Sequence, residues 1–215
     1  MGLFNDADWQ LRNKNMYDYV IDTFGTEFFN GKKVLELGAG YGYFGEKFRQ
    51  LGADLTCLEG RWEHVETGKV IHPDAKWINF DLDSGWPFPD RENDFDVILH
   101  MGVLYHLERP ETNLTDVCNS MKSGSILIIE TEFIDTDRPD AMFCLRLEGY
   151  NLSVRTFGCR PSHGMIVSIL NNWNMEFSRT SLTKYDSPNY IYSLPRKNDN
   201  HFDRADRQLW TCRKN

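Results

Sequence analysis

A chain of 215 residues with 40% hydrophobic residues and a formal net charge of −8 at pH 7 suits one domain with a full hydrophobic core and is short for two independent ones. The acidic balance argues against a broad nucleic-acid footprint, which needs a basic face. No apolar run is long enough to span a bilayer, and the start, Met1-Gly2-Leu3-Phe4-Asn5-Asp6, has neither the regions of a secretory signal nor the hydroxyl at position 6 that myristoylation needs. The five cysteines, Cys57, Cys118, Cys144, Cys159 and Cys212, are odd in number and widely spread, and are read as free thiols in a reducing, cytoplasmic setting. No cluster of closely spaced carboxylates marks a magnesium site.

Along the chain, Met16, Val20, Phe24 and Phe28 recur at four-residue steps with Tyr17 and Ile21 beside them, which predicts a helix packed on a sheet edge. Gly31 and Lys32 lead into Lys33-Val34-Leu35-Glu36-Leu37-Gly38-Ala39-Gly40-Tyr41-Gly42-Tyr43-Phe44-Gly45. An apolar run carrying one acid, alternating glycines, and then Phe44, Phe48 and Leu51 at helical spacing read as strand, tight turn and helix. Glycines there permit positive φ and leave room for a ligand against the main chain, while the helix start offers unpaired N–H groups. Strand-like runs follow at 54–59, 75–80 and 95–100, separated by a helix over about 61–70 and by breaks at Pro73 and at Pro87, Pro89 and Asp90.

Pro110 suits the first turn of a helix whose apolar stripe is Leu114, Val117, Cys118 and Met121, ended by Ser123-Gly124 before a fifth strand over 125–132. Residues 133–160 interrupt this rhythm with a polar loop around Asp135, Asp137 and Asp140, followed by Met142, Phe143, Leu145, Leu147, Tyr150, Arg155 and Phe157, and are expected to build a substrate-side insertion. Ser162 is the expected N-cap of a helix with Ile166, Ile169, Leu170 and Trp173 inward. The last two strands fall at 175–180 and 208–213, and the polar stretch 183–205 between them is a second expected insertion. Strands alternating with helices predict an α/β fold with a parallel sheet, helices on both faces, and a ligand at the carboxyl ends of the strands, where Gly38, Glu59, Asp81, Met101 and Glu132 fall.

Two cofactor classes use such a glycine turn. Gly40, Gly42 and Gly45 match the spaced-glycine dinucleotide pattern. In a dinucleotide fold, however, the first glycine follows the strand directly; here that is Gly38, whose triple would need a glycine where Tyr43 stands. The frame that fits is an acid, any residue, and three alternating glycines: Glu36, Gly38, Gly40, Gly42. In this the sequence resembles the class I S-adenosylmethionine (SAM) dependent methyltransferases, whose first motif has that form. The resemblance runs over about residues 33–132. Glu59 ends the second strand as an acid able to accept both ribose hydroxyls, as an NAD enzyme would also have it. Asp81-Leu82 falls where the family places an acid that bonds the adenine amino group, and Met101 to Leu107 looks like the family's loop after the fourth strand.

The resemblance implies a three-layer Rossmann-like fold, with a seven-stranded mostly parallel sheet whose last strand is antiparallel, in one domain over 1–215. It implies SAM as cofactor, held by Glu36, Gly38, Ala39, Gly40, Glu59, Gly60, Asp81, Leu82, His100 and Met101. It further implies methyl transfer to a small-molecule acceptor, a sugar or another hydroxyl compound. Residues 1–32 would form a helical lid, with Trp9, Tyr17 and Tyr19 as its contacts.

Displacement at a sulfonium needs alignment and exclusion of water more than a catalytic residue, though a hydroxyl acceptor gains from a base. His106, just past the fourth strand, is the first candidate base; its alternative role is a loop-ordering hydrogen bond. His163, at a helix start that keeps an imidazole neutral, is the second. His100 is placed near the methionine part of the cofactor, and only one of Glu130 and Glu132 is expected to face the pocket. Gly102-Val103-Leu104-Tyr105-His106, with Pro110 four residues on, is also similar to a segment of the enzymes that complete wobble-uridine modification on tRNA, departing at Leu107-Glu108 where those enzymes are basic. From Arg179 onward eight basic residues stand against four acidic ones, a net of +4. An RNA acceptor and a non-catalytic SAM-binding partner subunit are therefore the alternatives.

Overall fold

The computed structural model describes residues 7–88, 94–146, 154–180 and 206–215. Its strands are β1 (Lys33–Leu37), β2 (Asp54–Glu59), β3 (Lys76–Asn79), β4 (Val97–Met101), β5 (Ile126–Phe133), β6 (Met142–Arg146), β7 (Phe157–Pro161), β8 (Met175–Thr180) and β9 (Asp206–Lys214). Its α-helices are α1 (Ala7–Phe24), α2 (Tyr43–Arg49), α3 (Trp62–Ile71), α4 (Pro110–Ser120) and α5 (His163–Asn172). Seven strands form one sheet in the order β3-β2-β1-β4-β5-β9-β8, and β9 alone runs antiparallel to its neighbours. The winding reverses between β1 and β4, which opens a crevice beyond the carboxyl ends of those strands. This is the Rossmann-like arrangement expected from the sequence.

Alternation along the strands divides the core in two. Val34, Cys57, Leu99 and Ile128 face Met16 and Val20 of α1 and Phe44 and Phe48 of α2. Leu35, Leu58, Ile98 and Ile129 face Val117 of α4 and Ile166 and Leu170 of α5. Pro110 opens α4, and Ser162 caps α5 by accepting the N–H of Met165 at 3.0 Å, both as predicted. The N-terminal helix stops sooner than its apolar spacing suggests. Gly25 turns to φ 79°, and Phe28 and Phe29 fall in a following 3-10 turn. The Tyr19 hydroxyl lies 3.0 Å from the hydroxyls of both Thr180 and Thr211, tying α1 to β8 and β9.

One sequence expectation is corrected within the expected insertion 133–160, where β6 and β7 form an antiparallel hairpin. Its register sets Cys144 opposite Cys159, and the two form a disulfide, so the cysteines are not all free thiols. Cys57, Cys118 and Cys212 remain free and buried. The pairing follows from strand register, which sequence spacing does not reveal. Pro89, Asp90, Leu147, Tyr150 and the stretch 183–205 lie outside the described residues. Among the described residues no helix is long and apolar enough to cross a membrane.

One indole from β3 supports the glycine turn. A Cβ on Gly42 would stand 2.8 Å from the Trp77 ring, and a Cβ on Gly68 of α3 only 2.2 Å from it. Trp77 therefore fills the gap between turn and helix, and its Nε1–H donates to the carbonyl of His72 at 3.3 Å. In an ordinary helix interior Gly68→Ala would gain about 1 kcal/mol of helix propensity. Here the added methyl must displace the indole, so a net loss of about 1–3 kcal/mol is expected from urea midpoints. A net gain would show that Trp77 gives way freely and does not brace the turn.

Candidate active site

The turn after β1 places Gly38, Gly40 and Gly42 at φ 61°, 57° and 80°. The alternating glycines of the sequence are thus alternating left-handed residues, a conformation that side chains with Cβ resist. Two glutamate side chains hold this backbone. Glu36 Oε2 accepts the N–H of Gly45 at 3.0 Å, while Glu59 Oε2 accepts the N–H of Gly40 at 2.8 Å and its Oε1 accepts the N–H of Arg61 at 2.9 Å. Gly45 has no room for a side chain, since its Cβ would lie 2.3 Å from Glu36 Oε2. Gly38 backs onto Val103 in the same way, at 2.5 Å. Glu36, Gly38, Ala39, Gly40, Glu59 and Gly60 are therefore gathered at one edge, where the ends of β1 and β2 meet the loop after β4.

Of the other expected cofactor residues, Asp81 caps a 3-10 turn, accepting the N–H of Asp83 on Oδ1 at 3.0 Å, and its Oδ2 accepts Nε–H of Arg155 at 2.8 Å. The Leu82 side chain belongs to the core, so its main chain is what it can offer a ligand. Met101 is half-buried at the end of β4. The expected place of His100 beside the cofactor is corrected: its ring is fully buried, and Nε2 meets Oδ1 of Asn113 on α4 at 2.8 Å. Strand alternation sends it to the α4 face, away from the glycine turn.

A second polar centre lies beside the crevice. Glu130 on β5 is fully buried and bonds Arg12 of α1 and, at 3.0 Å, Nη1 of Arg207 on β9. Arg207 also donates from Nη2 to Glu132 and to the Tyr105 hydroxyl, each at 2.8 Å, and Arg160 of β7 donates to Glu132 at 2.7 Å. Glu130 and Glu132 thus act together. The expectation that only one faces this side is wrong, because residues i and i+2 of a strand share a face. Burial acts to raise the Glu130 carboxyl, but Arg12 and Arg207 outweigh it and hold it below its ordinary range. Arg12 passes beneath Gly102, where a Cβ would stand 2.6 Å from its Nη2.

His106 sits in the 3-10 turn Leu104–His106 against this centre, its ring 3.9 Å from that of Tyr105. Gly158 of β7 lies directly on its backbone, so the hairpin forms the wall behind it. Burial, and then the charges of Arg207, Arg12 and Arg61, push its pKa down to about 3, so the ring is neutral at physiological pH. Its Nδ1 is buried with no hydrogen-bond partner among the described residues. His163 is placed apart from these contacts, at the start of α5, with its ring stacked on Trp210 at 6.0 Å. Burial and Arg179 lower its pKa.

Sequence reasoning missed Arg12, Arg207, Arg155 and Asp83. Asp83 accepts the N–H groups of Glu108 and Arg109 at 3.1 and 3.0 Å, fixing the loop after β4. Arg12 carried a usable signal: it stands one helical repeat before Met16, on the buried stripe.

The family described as "Methyltransferase domain" matches residues 9–199. A ubiquinone biosynthesis O-methyltransferase from Maricaulis maris is 30% identical over 140 residues, covering 62% of this chain and 53% of that protein. A tRNA U34 carboxymethyltransferase from Desulfotalea psychrophila is 28% identical over 149 residues, covering 66% and 44%. The chain spans about half the length of these curated relatives. A solved S-adenosylmethionine dependent methyltransferase from Mesorhizobium loti shares the fold, with a TM-score of 0.65 at 15% identity over 99% of this chain and 100% of that one.

Burial pushes the Glu36 carboxyl up to about 8 from an ordinary 4.5, with the Gly45 N–H opposing the shift and Glu59 adding to it. Between those pH values the folded chain keeps a proton that the unfolded chain releases, so this residue lowers stability as pH rises through the window. Glu36→Gln retains an acceptor for Gly45 and should match wild type near pH 4.5. By pH 8 it should exceed wild type by an amount on the order of a few kcal/mol in denaturant midpoints. An advantage equal at both pH values would show that Glu36 is ionised throughout.

Proposed function

We propose that this chain, which belongs to the methyltransferase domain family, is an enzyme that transfers a methyl group from SAM to a hydroxyl of a small molecule. The observation that carries the reading is the turn at Gly38, Gly40 and Gly42, left-handed at all three and clasped by Glu59. A dinucleotide frame would need a glycine at Tyr43, which instead starts α2. A carboxylate has about four acceptor positions, and in Glu59 two are taken by backbone N–H groups, leaving acceptor capacity on each oxygen for ribose hydroxyls. Asp81 keeps acceptor capacity on Oδ1 for an adenine amino group. SAM, when bound, supplies an activated methyl group.

The chain's own groups then align the acceptor. His106, neutral and with Nδ1 lacking a partner among the described residues, accepts the hydrogen bond of the acceptor hydroxyl and orients its oxygen. A base this weak does not ionise an alcohol beforehand. It suffices to take the proton once the new C–O bond makes that O–H strongly acidic. The Arg12–Glu130–Arg207 cluster holds α1 as a fixed wall over this side, and we read residues 1–215 as one domain. His163 would act, if at all, from outside this constellation. The tRNA-modifying relative favours a second reading, an RNA acceptor, and a net charge of −8 does not decide against it.

Labelled methyl from SAM should pass to hydroxylated small molecules at a rate independent of salt between low and physiological ionic strength. Transfer only to tRNA, collapsing as salt rises, would establish the second reading. Gly40→Val should abolish both transfer and S-adenosylhomocysteine binding. His106→Ala should lower kcat by about 100-fold with cofactor affinity unchanged. The wild-type kcat should show no ionisation of His106 between pH 5 and 8. Retained activity in the alanine variant would remove His106 from the reaction.

A further inference from the structure

Residues 154–156 lie on both positions read as the nucleoside end of the site. A Cβ on Gly60 would stand 2.5 Å from Cγ2 of Val154 and 3.8 Å from Cα of Asp81, so Val154 is seated in the notch between the loops after β2 and β3. It is 49% exposed there, an apolar side chain laid across a groove rather than packed into the core. Its neighbour fastens it. Arg155 donates from Nε to Asp81 Oδ2 at 2.8 Å and from Nη2 to Ser84 Oγ at 2.9 Å, and its Nη1 lies 3.5 Å from Glu108 Oε2. One guanidinium thereby joins the loop after β3 to the loop after β4. Thr156 follows at φ 60°, a left-handed conformation unusual for a β-branched residue, immediately before β7 begins.

The geometry points to Arg155 as the latch of a gate over the nucleoside end of the site, a role that rests on the SAM-binding reading above. A nucleoside cannot pass between Gly60 and Asp81 while Val154 occupies that notch, and Val154 cannot lift while its neighbour holds Asp81, Ser84 and Glu108. Exchange of cofactor for product therefore requires these bonds to break and re-form. The ion pair suits repeated opening. Arg155 and Asp81 side chains are 34% and 23% exposed, so their attraction is modest and screened by salt. The Arg12–Glu130 pair, at 7% and 0%, is by contrast a permanent strut.

The test is stopped-flow binding of S-adenosylhomocysteine to the full chain, followed by tryptophan fluorescence, for wild type, Arg155→Ala and Arg155→Lys, with circular dichroism to verify folding. In Arg155→Ala both association and release should quicken by up to about fivefold, the upper range for a partly exposed ion pair, while Kd changes less than either rate. Arg155→Lys, which keeps the charge but loses the fork, should fall between. Raising salt should speed exchange in wild type and leave the alanine variant unmoved. Unchanged rates would overturn the latch. So would faster release alone with Kd weakening in step, which would make Arg155 a simple ligand contact. Wild-type protein that does not bind S-adenosylhomocysteine at all would instead refute the cofactor assignment.

Discussion

Two glutamate side chains grip the main chain of one turn, and much of the remaining architecture serves to bring them there. Glu36 rises from β1 to the Gly45 N–H and Glu59 from β2 to the Gly40 N–H, so the parallel register of those strands fixes the distance between the two grips. The glycines follow from this. Three left-handed residues disfavour side chains by conformation, and Gly38, Gly42 and Gly45 have no room for one. Trp77 fills the volume behind the turn. Hydrogen bonds and packing thus shape this backbone without a ligand, and such preorganisation lowers the ordering cost of binding.

The molecule treats buried charge in two opposite ways on the two sides of the crevice. Under the glycine turn burial pushes the Glu36 carboxyl up to about 8, and holding a proton spares it the cost of a stranded charge. Beside His106, Glu130 is ionised because Arg12 and Arg207 enclose it. Removing one member of such a cluster leaves a buried charge unpaired, at a cost of about 3–5 kcal/mol, so α1 is bound to the sheet by more than its apolar stripe. Burial, and then the same arginines, keep the neighbouring His106 neutral.

The local pattern carried most of the sheet. Strands of alternating or continuous apolar residues, Pro110 at a helix start and Ser162 at an N-cap are each determined by neighbours a few positions away, and they were legible for that reason. The glycine turn was legible because its spacing is a backbone requirement. What escaped depends on contacts distant in the chain: Glu130 and Arg12 are separated by 118 positions, and the β6–β7 register that joins Cys144 to Cys159 has no spacing signature. His100 was misplaced because the end of a strand was judged by its position and not by which face its side chain takes. Glu130 and Glu132 were separated by a miscount of the same alternation.

The most direct test of the central claim is an amide titration by NMR, with S-adenosylhomocysteine and NADH added separately to the same labelled protein. Saturable shifts at Gly40, Gly60 and Arg61 with the homocysteine compound, and none there with NADH, are the outcome predicted by a sulfonium-nucleoside site on the clasped turn. Equal shifts with NADH, or saturation that leaves those three amides unmoved, would contradict it.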